Sequence, residues 1–324
     1  RVAGAVLPVV RRRKPPVMRV MPATPRPERE SVMSISASLV KDLRDRTGAG
    51  MMECKKALVD ANGNLEAAVE LLRTRGQAKA EKKAGRIAAE GQILTAASPQ
   101  GNVTAILEVN CETDFVAKDD NFQRFARAAA ELAAASQPAS VDDLMAGRLP
   151  AGGTLEDARK DLVAKIGENI GVRRMEFVRP TATLATYFHG TRIGVLVDVE
   201  GGDADLGRDL AMHVAASNPR YLTPDEVPES LRANERRILT EQAAGEGKPP
   251  EIVAKMVEGR LRKFLNEIAL VGQPFVKDPD TSIAKLLKDR GAKVHRFVRF
   301  EVGEGIEKKQ ENIAEAVAAM NTQA

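Results

Sequence analysis

Tryptophan is absent from this 324-residue chain, and aromatic residues make up only 3% of it. A surface that stacks single-stranded bases needs several exposed rings, so the sequence offers no obvious platform of that kind. Cysteine is equally scarce. The two thiols, Cys54 and Cys111, are far apart and form no CxxC pair. That argues against a cysteine metal cluster or a redox motif and makes reduced cytosolic thiols the default. The three histidines, His189, His213 and His295, lack ligand or triad spacing, and His213 lies in an Ala-rich stretch that reads as packed helix. No apolar run approaches the roughly 18 residues of a membrane helix. A phosphate-binding loop is missing too: Gly245-Glu246-Gly247-Lys248-Pro249 has the wrong spacing and a proline where a magnesium-binding hydroxyl belongs, and Gly303-Glu304-Gly305 lacks the third glycine of a dinucleotide loop. The chain therefore carries no nucleotide, metal or cofactor signature of its own.

Charge is unevenly spread. Of 49 Lys and Arg, eight fall in the first 30 residues against two of the 45 acids, which leaves 41 basic and 43 acidic residues beyond them. The remainder is no phosphate-binding surface by net charge. The one local basic run, Lys79 to Arg86, reads as a solvated helical connector in preference to an RNA contact. With 43% hydrophobic residues over this length, the chain can bury two or three ordinary cores.

The most informative segment lies where an imperfectly alternating strand, Val103 to Asn110, hands over to a polar loop and then a helix marked by Phe122, Phe125 and Ala129. At that rim stands Thr113-Asp114-Phe115-Val116. Two readings compete on pattern alone. Phe115 can fold back as a staple near Phe122 while Asp114 supports the turn, or acid and ring can project as a wedge into another protein.

The stretch Leu107 to Lys118, centred on this tetrad, resembles the core motif of the elongation factor Ts family, the nucleotide exchange factors of elongation factor Tu. Four further stretches resemble the family in the same order: Ser38 to Leu58, Ala164 to Ile170, Ala211 to Ser217, and Phe300 to Glu307. The resemblance covers nearly everything after the first thirty-odd residues. It implies that Thr113, Asp114, Phe115 and Val116 bind the partner and dislocate its Mg²⁺. Further partner contacts are implied at Met51, Met52, His189 and Val276. Met51 and Met52 read equally well as core filler. At Lys277 the chain departs from the family, which often has an apolar residue there; this bears on the second contact, placed at His189 and Val276.

The expected fold is α+β, with a three-helix ubiquitin-associated-like head, a duplicated core, a helical hairpin and a C-terminal helical module. Residues 1–32 form a Pro- and Arg-rich extension, expected to be disordered. It reads as a transit peptide, a basic nucleic-acid arm, or, preferred, sequence upstream of a start at Met33, where the resemblance begins. The head spans 33–76: helices marked by Leu39, Val40 and Leu43, by Met52 to Leu58, and by an Asn64-capped stripe of Leu65, Ala68, Val69 and Leu72. A helical linker covers 77–90 and the first core half 91–180, including a loop at Gly147 to Thr154 and a helix from Leu155 to Ile170. The second half, 181–227 and 271–300, repeats the strand-to-helix order at Ile193 to Ser217. Its interruption, 228–270, reads as a hairpin of two amphipathic helices, either projecting as a coiled coil or lying on the core. Residues 301–324 make the C-terminal module, with a helix from Ile306 to Met320.

The resulting reading is a non-enzymatic exchange factor acting in the bacterial cytoplasm. It would bind elongation factor Tu in its GDP-bound and nucleotide-free states and use no cofactor, membrane or direct nucleotide contact. A homodimer through the hairpin or core is left open, as is an organellar location if the extension is a transit peptide. The competing class is an RNA-binding or ribosome-associated protein, supported by the basic tail and small head; an enzyme with an unrecognised site is the remaining alternative.

Overall fold

A computed structural model describes residues 35–245 and 249–307. The extension at 1–32 lies outside them, as does the C-terminal module beyond residue 307.

Helix formation at the start follows local capping. Ser36 Oγ accepts from Leu39 N at 3.2 Å and starts α1 (Ala37–Thr47); Gly48, at φ 66°, stops it. After α2 (Met51–Asp60), Asn64 Oδ1 accepts from Ala67 N at 3.0 Å and opens α3 (Leu65–Lys83). Val40, Leu43, Cys54, Ala57, Leu58 and Ala68 close the small core of these helices. The third helix does not stop at the boundary drawn at residue 76. It continues to Lys83, within the expected helical linker, and buries Ala80 against the next core. The basic run stays largely exposed, as a solvated connector would be, yet it makes contacts: Lys79 pairs with Glu53, Lys83 donates to the Gly167 carbonyl, and Arg86 lies 3.5 Å from Glu112.

Two three-stranded antiparallel sheets follow. The first pairs β1 (Glu90–Ala97), β2 (Thr104–Cys111) and β3 (Gly171–Val178), with β2 central. Between β2 and β3 come α4 (Asp114–Ala117), α5 (Asp120–Ser136), α6 (Val141–Ala146) and α7 (Leu155–Ile166). The second sheet contains β4 (Thr183–His189) and β5 (Ile193–Glu200), after which α8 (Ala204–Ser217) lies against both strands. Its third strand arrives only after the hairpin.

The imperfect alternation of the central strands has a packing cause. In β2, Ala105, Leu107 and Val109 face Phe122, Ala126 and Ala129 of α5, whereas Ile106 joins Leu196 between the two sheets. In β5, Val195, Val197 and Val199 face Leu210 and Val214 of α8. Each central strand is buried on both faces, so apolar residues occupy both phases of the pleat. Small side chains at Ala126, Ala129, Ala130 and Ala133 pack α5 into the helix-covered core.

The interruption consists of α9 (Glu229–Ala244) and α10 (Pro250–Ile268). Leu239, Ala243, Val257 and Leu261 close on one another rather than on either sheet. At the base, Arg220 N and Tyr221 N both donate to Ile268 O, at 2.9 and 3.2 Å. The chain then forms β6 (Pro274–Phe275), β7 (Asp278–Ser282) and α11 (Ile283–Asp289). It completes the second sheet with β8 (Lys293–Glu301), giving the order β4-β5-β8. Helix α7 ends at Ile166, short of the expected Ile170, because Gly167 adopts φ 90° and turns the chain away.

Candidate partner-binding site

The tetrad lies on a one-turn helix rather than in an open polar loop. Thr113 is its N-cap, with Oγ1 accepting from Val116 N at 3.3 Å, and α4 begins at Asp114. None of its four residues is fully buried. Val116 and Ala117 rest against the first core, while Phe115 is 80% exposed. That exposure excludes the staple. Phe122 is wholly buried in α5, and the ring of Phe115 does not cover it. A lone exposed apolar side chain is ordinary; what distinguishes this one is how tightly its turn is fixed.

The fixing comes from the turn after α7. Glu168 Oε2 accepts from Glu112 N at 3.1 Å and Thr113 N at 3.0 Å, while Oε1 accepts from Thr113 Oγ1 at 2.7 Å. In return, Glu112 Oε1 accepts from Asn169 N at 2.6 Å. Each carboxylate thus takes a backbone N–H from the other's segment. Asn169 Nδ2 reaches the carbonyls of Ala84 and Arg86 at 3.2 and 2.7 Å, bringing the end of the head's long helix to the same place. Glu168 and Asn169 lie within the stretch Ala164 to Ile170, where the sequence pattern assigns no single residue a role. The only local signal was the helix-stopping glycine before them.

Asp114 is exposed, and Lys118 Nζ donates to its Oδ2 at 2.8 Å. That hydrogen bond, with the lysine's charge, outweighs a small desolvation effect and lowers the carboxyl pKa. The acid beside Phe115 is therefore ionised at neutral pH, although an exposed i,i+4 pair holds its geometry only weakly. Behind it, Cys111 Sγ donates to Thr113 O at 3.1 Å. Burial, reinforced by the negative charges of Glu168 and Glu90, pushes this thiol up to about 12. It remains protonated, as a donor and not a nucleophile.

Met51 and Met52 occupy the first turn of α2 at 59% and 74% exposure, so neither is core filler. His189 is exposed at the end of β4, and Val276 is 45% exposed just after β6. Behind Val276, its N–H donates to Nδ1 of the wholly buried His213 at 3.2 Å. The ring proton therefore sits on Nε2, facing Gln273 Oε1 at 2.9 Å, and Gln273 Nε2 donates to Glu267 O at 2.7 Å. Burial lowers the pKa of His213, against the raising effect of Gln273.

Among the described residues, no group of three or more His, Cys, Asp or Glu could hold a metal ion, and no helix is long and apolar enough to cross a membrane. The arrangement offers exposed apolar and acidic contacts on anchored backbone, suited to another protein's surface.

Residues 112–304 match the model of a family described as Elongation factor TS. The chain is similar to the Elongation factor Ts of Thioalkalivibrio sulfidiphilus, 58% identical over 289 residues, covering 89% of this chain and 98% of that protein. It is similar also to that of Methylococcus capsulatus, 58% identical over 288 residues with the same coverage of 89% and 98%. The corresponding protein of Alkalilimnicola ehrlichii is 59% identical over 290 residues, again 89% of this chain and 98% of the relative.

Proposed function

The chain belongs to the elongation factor Ts family, and from that premise we propose that it serves translation elongation as a guanine nucleotide exchange factor. It binds elongation factor Tu carrying GDP, promotes release of the nucleotide, and is displaced when GTP enters. It performs no bond-making chemistry itself. The observation that carries this reading is Phe115, 80% exposed beside an ionised acid on a turn fixed by Glu168.

In this mechanism Asp114 and Phe115 enter near the partner's Mg²⁺ site, with Thr113 and Val116 completing the contact. They disturb the groups that hold the cation. Bound Mg²⁺ neutralises phosphate charge, so its dislocation leaves GDP with weaker electrostatic pairings. Thermodynamic reciprocity supplies the rest of the cycle. If the factor weakens nucleotide affinity by some ratio, nucleotide weakens the factor's affinity by the same ratio, and incoming GTP expels it. Met51 and Met52 on the head, and His189 and Val276 on the second half, supply further contacts that keep the complex together while the site opens.

Stopped-flow mixing with elongation factor Tu carrying fluorescent GDP tests the reading. Release is expected to accelerate by more than about tenfold, at least about 1.4 kcal/mol off the barrier. Retention of RNA with unchanged release would instead favour the RNA-binding class.

A further inference from the structure

We infer that Glu168 is a positioning residue for exchange: its carboxylate holds the α4 cap in the one conformation that presents Phe115. The inference rests on the exchange reading above, and extends it to a residue 53 positions away in sequence that need not touch the partner.

Helix α4 cannot hold itself. Four residues give too few internal hydrogen bonds to offset the ordering of a first turn, and none of the four is fully buried. Its conformation must be imposed from outside, and Glu168 supplies that constraint. The Thr113 hydroxyl has one proton. Donating it to Glu168 Oε1 at 2.7 Å turns an oxygen lone pair towards Val116 N, the cap interaction at 3.3 Å. The backbone N–H groups of Glu112 and Thr113 have their acceptor in Glu168 Oε2. Without this carboxylate, two donors and a directed hydroxyl lose their partner together.

The base of the carboxylate is also fixed. Gly167 O receives Lys83 Nζ, and Asn169 ties the next residue to the carbonyls of Ala84 and Arg86. The turn at residues 167–169 therefore joins the end of the head's long helix to the exchange turn. Loosening it lets α4 sample several conformations, and productive encounters fall in proportion to the competent fraction.

A double-mutant cycle in the full-length protein separates positioning from contact. The slope of GDP-release rate against factor concentration is measured for Glu168→Ala, Phe115→Ala and the double variant, with urea midpoints on the same preparations. Glu168→Ala is expected to lower the slope by about tenfold, yet by less than about twofold when Phe115 is already Ala, because its action passes through that ring. Glu168→Gln should recover release to within about threefold, since an amide oxygen can accept both backbone N–H groups and its NH₂ can donate to the hydroxyl. Glu168→Asp, which withdraws the acceptor while keeping the charge, should behave like Glu168→Ala and serves if the alanine variant does not fold. Parent-like release in a folded Glu168→Ala or Glu168→Asp variant, or an equal loss on the Phe115→Ala background, overturns the inference alone. Unchanged release by Phe115→Ala overturns the exchange reading of the turn as well.

Discussion

Glu108 and Asp198 occupy corresponding places in the two three-stranded sheets: each immediately precedes the register break in its sheet's central strand, and each is buried. Their partners differ. Glu108 receives Arg173 and Arg174 from β3, Asn110 from its own strand, and Gly303 N at 2.7 Å from the segment after β8. Asp198 receives Thr181 N and Oγ1 at 2.8 and 2.9 Å and Ala182 N at 3.2 Å, all from the link between β3 and β4. Both acids therefore take bonds from segments that join the two sheets. Arg174 adds a contact of 4.2 Å over the Phe300 ring, tying the first sheet to β8.

Glu108 gives a pH-dependent stability. Burial alone would raise its pKa, but the Gly303 N–H, Asn110 and Arg174 together lower it. A carboxyl depressed in the folded state contributes stability present above its unfolded pKa of about 4.3 and lost as pH falls through the folded value. Glu108→Gln should cost about 2–4 kcal/mol at pH 7, less than removing one member of a fully buried pair because both guanidinium groups remain partly hydrated. Urea midpoints of parent and variant should converge as pH is lowered from about 5.5 to about 3.5. A gap independent of pH across that range would contradict the ionised assignment.

A second titration concerns His213. Its folded pKa is lowered, so the neutral-ring contribution is present above the unfolded value of about 6.5 and declines as pH falls towards the folded one. Protonating Nδ1 removes the acceptor of Val276 N–H, and His213→Phe removes both ring partners. The substitution should destabilise the protein by about 1–3 kcal/mol at pH 7.5, with the difference shrinking by pH 5. Imidazole NMR of the parent should show a His213 midpoint below about 6.5; a midpoint above it would refute the neutral, double-bonded ring.

Why the tetrad was legible while Glu168 was not comes down to sequence separation. Thr113 to Val116 adjoin a strand and a helix whose periodicities mark the rim. Whether Phe115 folds inward or out depends on the space over Phe122, which the pattern does not contain. Glu168 meets Thr113 only because β2 and the turn after α7 converge, and periodicity carries no information about such pairs. Strand β3 was hidden for a related reason: Arg173 and Arg174 break its apolar pattern because they serve the buried Glu108. The long third helix reads as two pieces, a head helix and a helical linker, because a basic run follows its apolar stripe, although Gly76 and Ala80 carry the stripe on. A Cβ at Gly76 would sit 2.9 Å from that of Ala164, showing how closely it approaches α7.

The hairpin should be separable from the fold. Its apolar side chains close on each other, and its base is held by backbone bonds to Ile268 O. Replacing Leu231 to Leu261 by a Gly/Ser linker long enough to span the base retains that carbonyl. It removes the Arg232 bonds to Pro224 O and Val227 O, worth about 1 kcal/mol each. The shortened protein is expected to keep a single cooperative urea transition, with helical circular dichroism reduced by the deleted residues. Loss of cooperative unfolding at the parent's concentration would place the hairpin within the core.

Phe115 separates stability from function most cleanly. A buried Phe truncated to Ala costs about 3–5 kcal/mol because burial is lost and a cavity remains. At 80% exposure the ring has little burial to lose, so Phe115→Ala should leave the urea midpoint close to the parent's. Asp114→Ala should do the same, since its partner Lys118 is itself well exposed. Both variants are expected to bind nucleotide-free elongation factor Tu through the remaining contacts while releasing its GDP more than about tenfold more slowly than the parent. Stopped-flow release and urea unfolding on the same preparations decide the matter. A large stability loss in Phe115→Ala would return the ring to a packing role, and parent-like release by a folded variant would remove it from the exchange mechanism.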